Sequence, residues 1–133
     1  MGENRRVRIG ILGPVEVTAS GRAVEVGGAR LRALLTLLAL EAGRPVPAER
    51  LIDALWEDDV PAAAPNALQS LVSRLRAAVG RERVESRPGV YRLAVPPGAV
   101  DAHDFEDRLR AARALADPAA RAEALRAALA LWR

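Results

Sequence analysis

The residues from which a catalytic or metal site would be built are almost missing from this chain. Its 133 residues include no cysteine, no lysine and a single histidine, His103. There is thus no lysine for a phosphate-binding loop, no Cys–His pair and no cluster with metal-ligand spacing. His103 sits between Asp101 and Asp104 at a helix start, where it reads as a capping neighbour rather than a ligand. Gly10 and Gly13 fall in a strand-turn region and make no phosphate cradle. The expectation is a protein that is not an enzyme and uses neither cofactor nor metal.

Non-covalent recognition is better provided for. The stretch Pro65 to Gly80, PNALQSLVSRLRAAVG, places Leu68, Leu71, Val72, Leu75 and Val79 on one stripe of a helix. The opposite side carries Asn66, Ser70, Ser73 and Ala77, flanked by Gln69 and Arg76 on one edge and Arg74 on the other. That face has no acid, whereas a solvated helix face ordinarily mixes both signs. Asn, Gln, Ser and Arg suit base edges and phosphates. A surface helix that happens to lack acids is the plainer alternative. All twenty cations are arginine, so position carries more information than residue type.

Net charge is only +3, but it is segregated. Residues 41–59 carry two Arg against six acids, and residues 66–92 carry six Arg against two. The acidic block ends in Glu57, Asp58 and Asp59, within a loop expected over Glu57 to Ala64. The basic block ends in a hairpin: Arg83 to Arg87, a Pro88–Gly89 turn, then Val90 to Val95, with Tyr91, Leu93 and Val95 on one face and Arg92 on the other. Arg81, Arg83, Arg87 and Arg92 surround its base and tip, and a projecting turn with a cation suits the narrow, negative minor groove. Closing the core with Tyr91 and Leu93 is a second use for the same hairpin.

Other elements must hold these in place. Alternation at Val7, Ile9 and Ile11, at Val15 and Val17, and at Val24 and Val26, with a turn at Ser20–Gly21, predicts a three-stranded antiparallel sheet covered on one face. Ala29 to Ala42 predicts a helix buried on most sides, Leu37 and Leu40 widening its apolar face, with Gly43 as the stop and Pro45 beyond it. Ala48 to Trp56 predicts a second helix led by Pro47. Two successive helices joined by about eight residues exceed the tight helix-turn-helix connection and point to a winged helix. Pro96–Pro97–Gly98 ends that domain. Asp101 to Ala116 and Asp117 to Trp132 then predict a helical hairpin, which either docks on the first hundred residues or belongs to something longer. Without cysteine, secretory leader or about 18 uninterrupted apolar residues, the chain reads as cytoplasmic with no membrane partner.

RIGILGPVEV, ARLRALLTLLAL, RLIDALW, NALQSLVSRLRAAVG and YRL together resemble the DNA-binding domain of antibiotic-pathway regulators of the SARP class, with an OmpR-type winged-helix fold. VDAHDFEDRLRAAR and ALRAALALWR resemble the opening of the TPR-like bacterial transcriptional activator domain that follows it in those regulators. The resemblance implies an α+β fold, with residues 1–98 as the winged helix and 99–133 as the truncated start of the helical domain. It implies transcriptional activation from promoter direct repeats, protomers head to tail, and an RNA polymerase contact through the loop holding Glu57, Asp58 and Asp59. Two departures stand out: Val90 where the family's wing has Gly before the Tyr, and Pro47 where a Ser or Thr cap is usual.

On this reading Asn66, Gln69, Ser70, Ser73, Arg74 and Arg76 address double-stranded DNA from the recognition helix, and Arg83, Arg87 and Arg92 from the wing. The competing reading is a winged-helix protein-interaction module that uses Trp56, the acidic loop and the terminal helices.

Overall fold

A computed structural model describes residues 6–133; the polar start expected at the amino terminus falls mostly outside them. Strands β1 (Val7–Gly10), β2 (Glu16–Ala19) and β3 (Arg22–Val24) form an antiparallel sheet in that order. Alternation turns Ile9 and Val17 into the core. Ala19 pairs with Arg22 across Ser20–Gly21, whose φ values of 53° and 79° give the doubly left-handed turn that fits hairpin twist.

Helix α1 (Ala29–Leu40) buries Leu31, Leu34, Leu35 and Leu38. It is less enclosed than its leucine content suggests: Leu40 is 48 % exposed, and Arg30, Arg32 and Ala33 face outward. The helix also stops at Leu40, short of the expected Ala42. Gly43, left-handed at φ 83°, donates its N–H to the Leu93 carbonyl at 2.9 Å.

One strand escaped the sequence reading. Pro45–Pro47 forms β4, antiparallel to β6 (Val90–Leu93), which also pairs with β5 (Val84–Arg87), giving the sheet order β4-β6-β5. Pro-Val-Pro reads as a breaker because proline lacks the ladder donor, but an edge strand tolerates that loss. Val46, between the prolines, is buried. The expected hairpin is thus two strands of a three-stranded sheet.

Helices α2 (Ala48–Trp56) and α3 (Ala64–Val79) complete the trio. Pro47 occupies the cap position of α2 rather than its first turn and offers no side-chain cap; the Ala48 N–H instead donates to the Gly89 carbonyl at 2.9 Å. Ala64, expected in the loop, is the first residue of α3 and is buried. Leu68, Leu71, Val72, Leu75 and Val79 enter the core as their spacing predicts. Truncating Leu75, fully buried, to Ala would cost about 2–5 kcal/mol.

The carboxy-terminal pair, α4 (Asp101–Arg113) and α5 (Pro118–Leu129), docks on the rest of the fold. Val100 is buried and bridges Ile9 of β1 in parallel. Buried Asp101 accepts the N–H groups of Ile11 at 2.7 Å and Leu12 at 3.1 Å, and the Arg133 guanidinium at 3.3 Å. Arg133 also donates to the Pro14 carbonyl at 2.8 Å, and Gly10 leaves the space its guanidinium fills. His103 is half-buried with Nε2 3.1 Å from the Ala39 carbonyl, so it bridges α4 to α1 instead of capping its own helix. Asp117 does cap α5, accepting the Ala120 N–H at 3.0 Å.

Candidate nucleic-acid interface

The outward side of α3 is a continuous polar strip. Asn66, Gln69, Ser70, Ser73, Arg74 and Ala77 are exposed, and no acid lies among them. The apolar stripe behind them fixes the helix's rotation, so burial of Leu68, Leu71 and Leu75 also aims the polar face. Pro65 fits in the first turn because the N–H it lacks would have no helical partner there.

Arg74 reaches towards the start of α1: a Cβ at Gly28 would lie 3.5 Å from its Nη2. An open cleft of about 620 Å³ there includes Gly28, Arg30, Leu55, Glu57 and Arg74. Arg30 stacks over Trp56 at 5.3 Å and donates to the Leu55 carbonyl at 3.3 Å, fixing the end of α2 against α1.

The cations of the wing and of the last turn of α3 divide into two groups. Arg76 donates from Nε to the Val84 carbonyl at 2.9 Å and from Nη2 to Ser86 Oγ at 3.0 Å. Arg83 turns back to the Val79 carbonyl at 2.6 Å. Arg92 forms an ion pair with Glu85 at 2.9 Å and donates to the Gly43 carbonyl at 2.8 Å. The Arg92 hydrogen bond holds the Glu85 carboxyl below the usual carboxylate range, and Glu85 raises the Arg92 guanidinium in return. The Arg87 side chain, by contrast, is exposed beside the turn and makes no hydrogen bond or ion pair among the described residues, although its charge also lowers the Glu85 carboxyl. The turn lies at Pro88–Gly89, where Gly89 has φ 79°; Val90 therefore starts β6 and needs no left-handed backbone.

Glu57, Asp58, Asp59 and Val60 are exposed between α2 and α3. Glu57 itself has φ 46° and ends α2 by donating its N–H to the Asp53 carbonyl at 2.9 Å, turning the chain away from the helix axis. The acidic loop thus begins beside the polar strip of α3, Glu57 lining the same cleft as Arg74. Among the described residues no group of His, Cys, Asp or Glu could hold a metal ion, and no helix is long and apolar enough to cross a membrane.

The family described as "Transcriptional regulatory protein, C terminal" matches residues 22–90, from β3 to the first residue of β6. The chain belongs to this family of OmpR-type winged-helix regulators. Its relatives are SARP-class regulators. Regulatory protein AfsR of Streptomyces coelicolor is 36 % identical over 134 residues, covering 98 % of this chain and 14 % of that protein. Transcriptional regulator RedD of the same organism is 34 % identical, covering 96 % of this chain and 39 % of its own length. Transcriptional regulatory protein EmbR of Mycobacterium tuberculosis is 36 % identical over 107 residues, covering 76 % of this chain and 28 % of EmbR. The structure of EmbR in complex with a low-affinity phosphopeptide superposes with TM-score 0.83 at 33 % identity, over 96 % of this chain and 36 % of that one. This winged-helix chain therefore spans well under half of each of these relatives. Their role is regulatory rather than enzymatic, and the family's business is DNA binding in transcription.

Proposed function

We propose that this chain binds double-stranded DNA sequence-specifically, with α3 in the major groove and the β5–β6 wing at the adjacent minor groove. The observation that carries this is the acid-free strip of Asn66, Gln69, Ser70, Ser73 and Arg74 on α3, with exposed Arg87 at the wing. Carboxamides and hydroxyls address base edges, and the guanidiniums address phosphates or groove floors. Titrating a labelled promoter duplex across salt concentrations tests it. Affinity should fall with log K slope of about 0.9 per neutralised phosphate. Absence of both binding and a salt slope overturns the reading.

Regulation would follow from where the domain sits. The SARP likeness and the Streptomyces regulators among the relatives favour activation of an antibiotic-type biosynthetic gene cluster, from direct repeats occupied head to tail. The exposed loop of Glu57, Asp58 and Asp59, beside the DNA-facing strip, offers an acidic contact for RNA polymerase. Asp58→Arg with Asp59→Arg should keep duplex affinity and reduce transcription in a reconstituted assay; undiminished transcription rules the contact out. Residues 1–98 form the DNA-binding unit in this proposal, and 99–133 the opening of a TPR-like helical domain in a cytoplasmic regulator. The interaction-module reading has one observation in its favour: Leu129 and Trp132 are 61 % and 53 % exposed at the end of the helical pair. Duplex binding with a steep salt slope decides against it as the main role.

A further inference from the structure

Among the described residues, hydrogen bonds tie the second sheet and its base to the helix trio, and Arg76, Arg83 and Arg92 all contribute to them. Its edge strand β5 lacks a neighbour on its outer side. Arg76 of α3 supplies donors there, to the Val84 carbonyl and Ser86 Oγ. On the other side Arg92 crosses from β6 to the Gly43 carbonyl while paired with Glu85, the residue directly opposite it in the ladder. Two further links are backbone bonds, Gly43 N–H to the Leu93 carbonyl and Ala48 N–H to the Gly89 carbonyl. Arg76 joins the wing to the last turn of α3, and Arg92 joins it to the turn after α1.

These geometries assign Arg76 and Arg92 a positioning role: we infer that they fix the wing's place relative to α3, leaving Arg87 as the wing's contact with the duplex. The inference rests on the DNA-binding reading above and refines it. In Arg76 two of the five N–H donors, from Nε and Nη2, are held by intrachain acceptors at 2.9 and 3.0 Å, which pins the guanidinium against β5 and keeps it from swinging out to a phosphate without breaking both. Arg87 has no such bonds to break. A two-residue turn also leaves the wing little play of its own, so its reach depends on how its base is held.

The test uses the whole chain and a duplex that the parent protein binds. Arg76→Met keeps side-chain bulk and removes the donors. It should weaken binding about tenfold, the scale of one charge-assisted hydrogen bond, with the parent's salt slope unchanged. Arg87→Met should reduce that slope by about 0.9. Hydroxyl-radical cleavage should then show the wing's minor-groove protection shifted along the duplex but still present in Arg76→Met, the slope being kept because Arg87 still meets a phosphate, while dimethyl sulfate probing shows guanine N7 protected in the major groove as in the parent. If Arg76→Met lowers the slope as Arg87→Met does, Arg76 contacts phosphate and the inference is overturned. Unchanged affinity and footprint overturn it equally. Should Arg76→Met fail to fold, Arg76→Lys and Ser86→Ala carry the test, since each leaves one link between α3 and β5; a smaller loss with an unchanged slope supports the inference, and a reduced slope in Arg76→Lys or no loss in either defeats it. A parent protein without duplex binding would instead refute the DNA reading itself.

Discussion

The two three-stranded sheets of this domain are alike in size and both antiparallel, yet they are joined to their helices by opposite chemistry. The first sheet meets the carboxy-terminal helices through a buried carboxylate: Asp101 takes two backbone donors from the β1–β2 connection and the Arg133 guanidinium. The second meets the helix trio through half-exposed guanidiniums on backbone carbonyls and Ser86. Buried polar groups are costly to orphan, whereas exposed pairs contribute little to stability. The first junction therefore governs whether the parts stay folded together. The second governs where the wing lies.

The sharpest way to break this contrast is Asp101→Ala. It strands the Ile11 and Leu12 N–H groups, while the Arg133 guanidinium keeps Glu16 at 3.0 Å and the Pro14 carbonyl at 2.8 Å, so chemical denaturation should show a loss of about 2–4 kcal/mol. A loss as small as that of a surface ion pair would mean the first junction is no lock.

Gly10→Ala probes the same junction from its other side. The added Cβ would stand 2.5 Å from Arg133 Nη2 and 3.3 Å from Asp101 Oδ2, forcing the guanidinium aside. A stability loss of about 1–3 kcal/mol is expected, and Arg133→Met in the same chain should remove most of the additional effect. Full additivity would show that the glycine does not serve the guanidinium.

On the other surface, Arg74→Ala and Arg87→Ala should each weaken duplex binding by about 1–3 kcal/mol while leaving the unfolding midpoint nearly unmoved. A drop in stability without loss of affinity would reverse the comparison.

The smallest effect is expected from acid. Glu85 has its folded carboxyl value depressed by Arg92, so its contribution is present above the ordinary value near 4.5 and lost as pH falls through the lower folded value. Amide exchange in β5 and β6, corrected for intrinsic pH dependence, should therefore quicken only in that acid window, and Glu85→Gln should remove the dependence. The same dependence persisting in Glu85→Gln would place its origin elsewhere.

Periodicity alone was enough for α2, whose bounds match its pattern, and for the burial of every apolar position expected on α3. Local chemistry was enough for the Ser20–Gly21 and Pro88–Gly89 turns and the Asp117 cap, because each rests on residues adjacent in sequence. Strand β4 was hidden because two prolines read as breakers until a partner strand makes them an edge. Leu40 was assigned to the core because a composition rich in leucine says nothing of which side a neighbour covers.

The amino-acid sequence by itself determined which helix carries an acid-free face and which side of it is buried, since both follow from residue spacing on one element. Only the tertiary structure decided which arginines remain open. Arg76, Arg83, Arg87 and Arg92 have the same side chain and one basic neighbourhood, but three of them find carbonyl acceptors on other elements and Arg87 does not. The same holds for Asp101 and Arg133, whose pairing depends on a loop some 90 residues away in sequence being brought beside them. A guanidinium's role is set by the acceptors within its reach, and those are a property of packing.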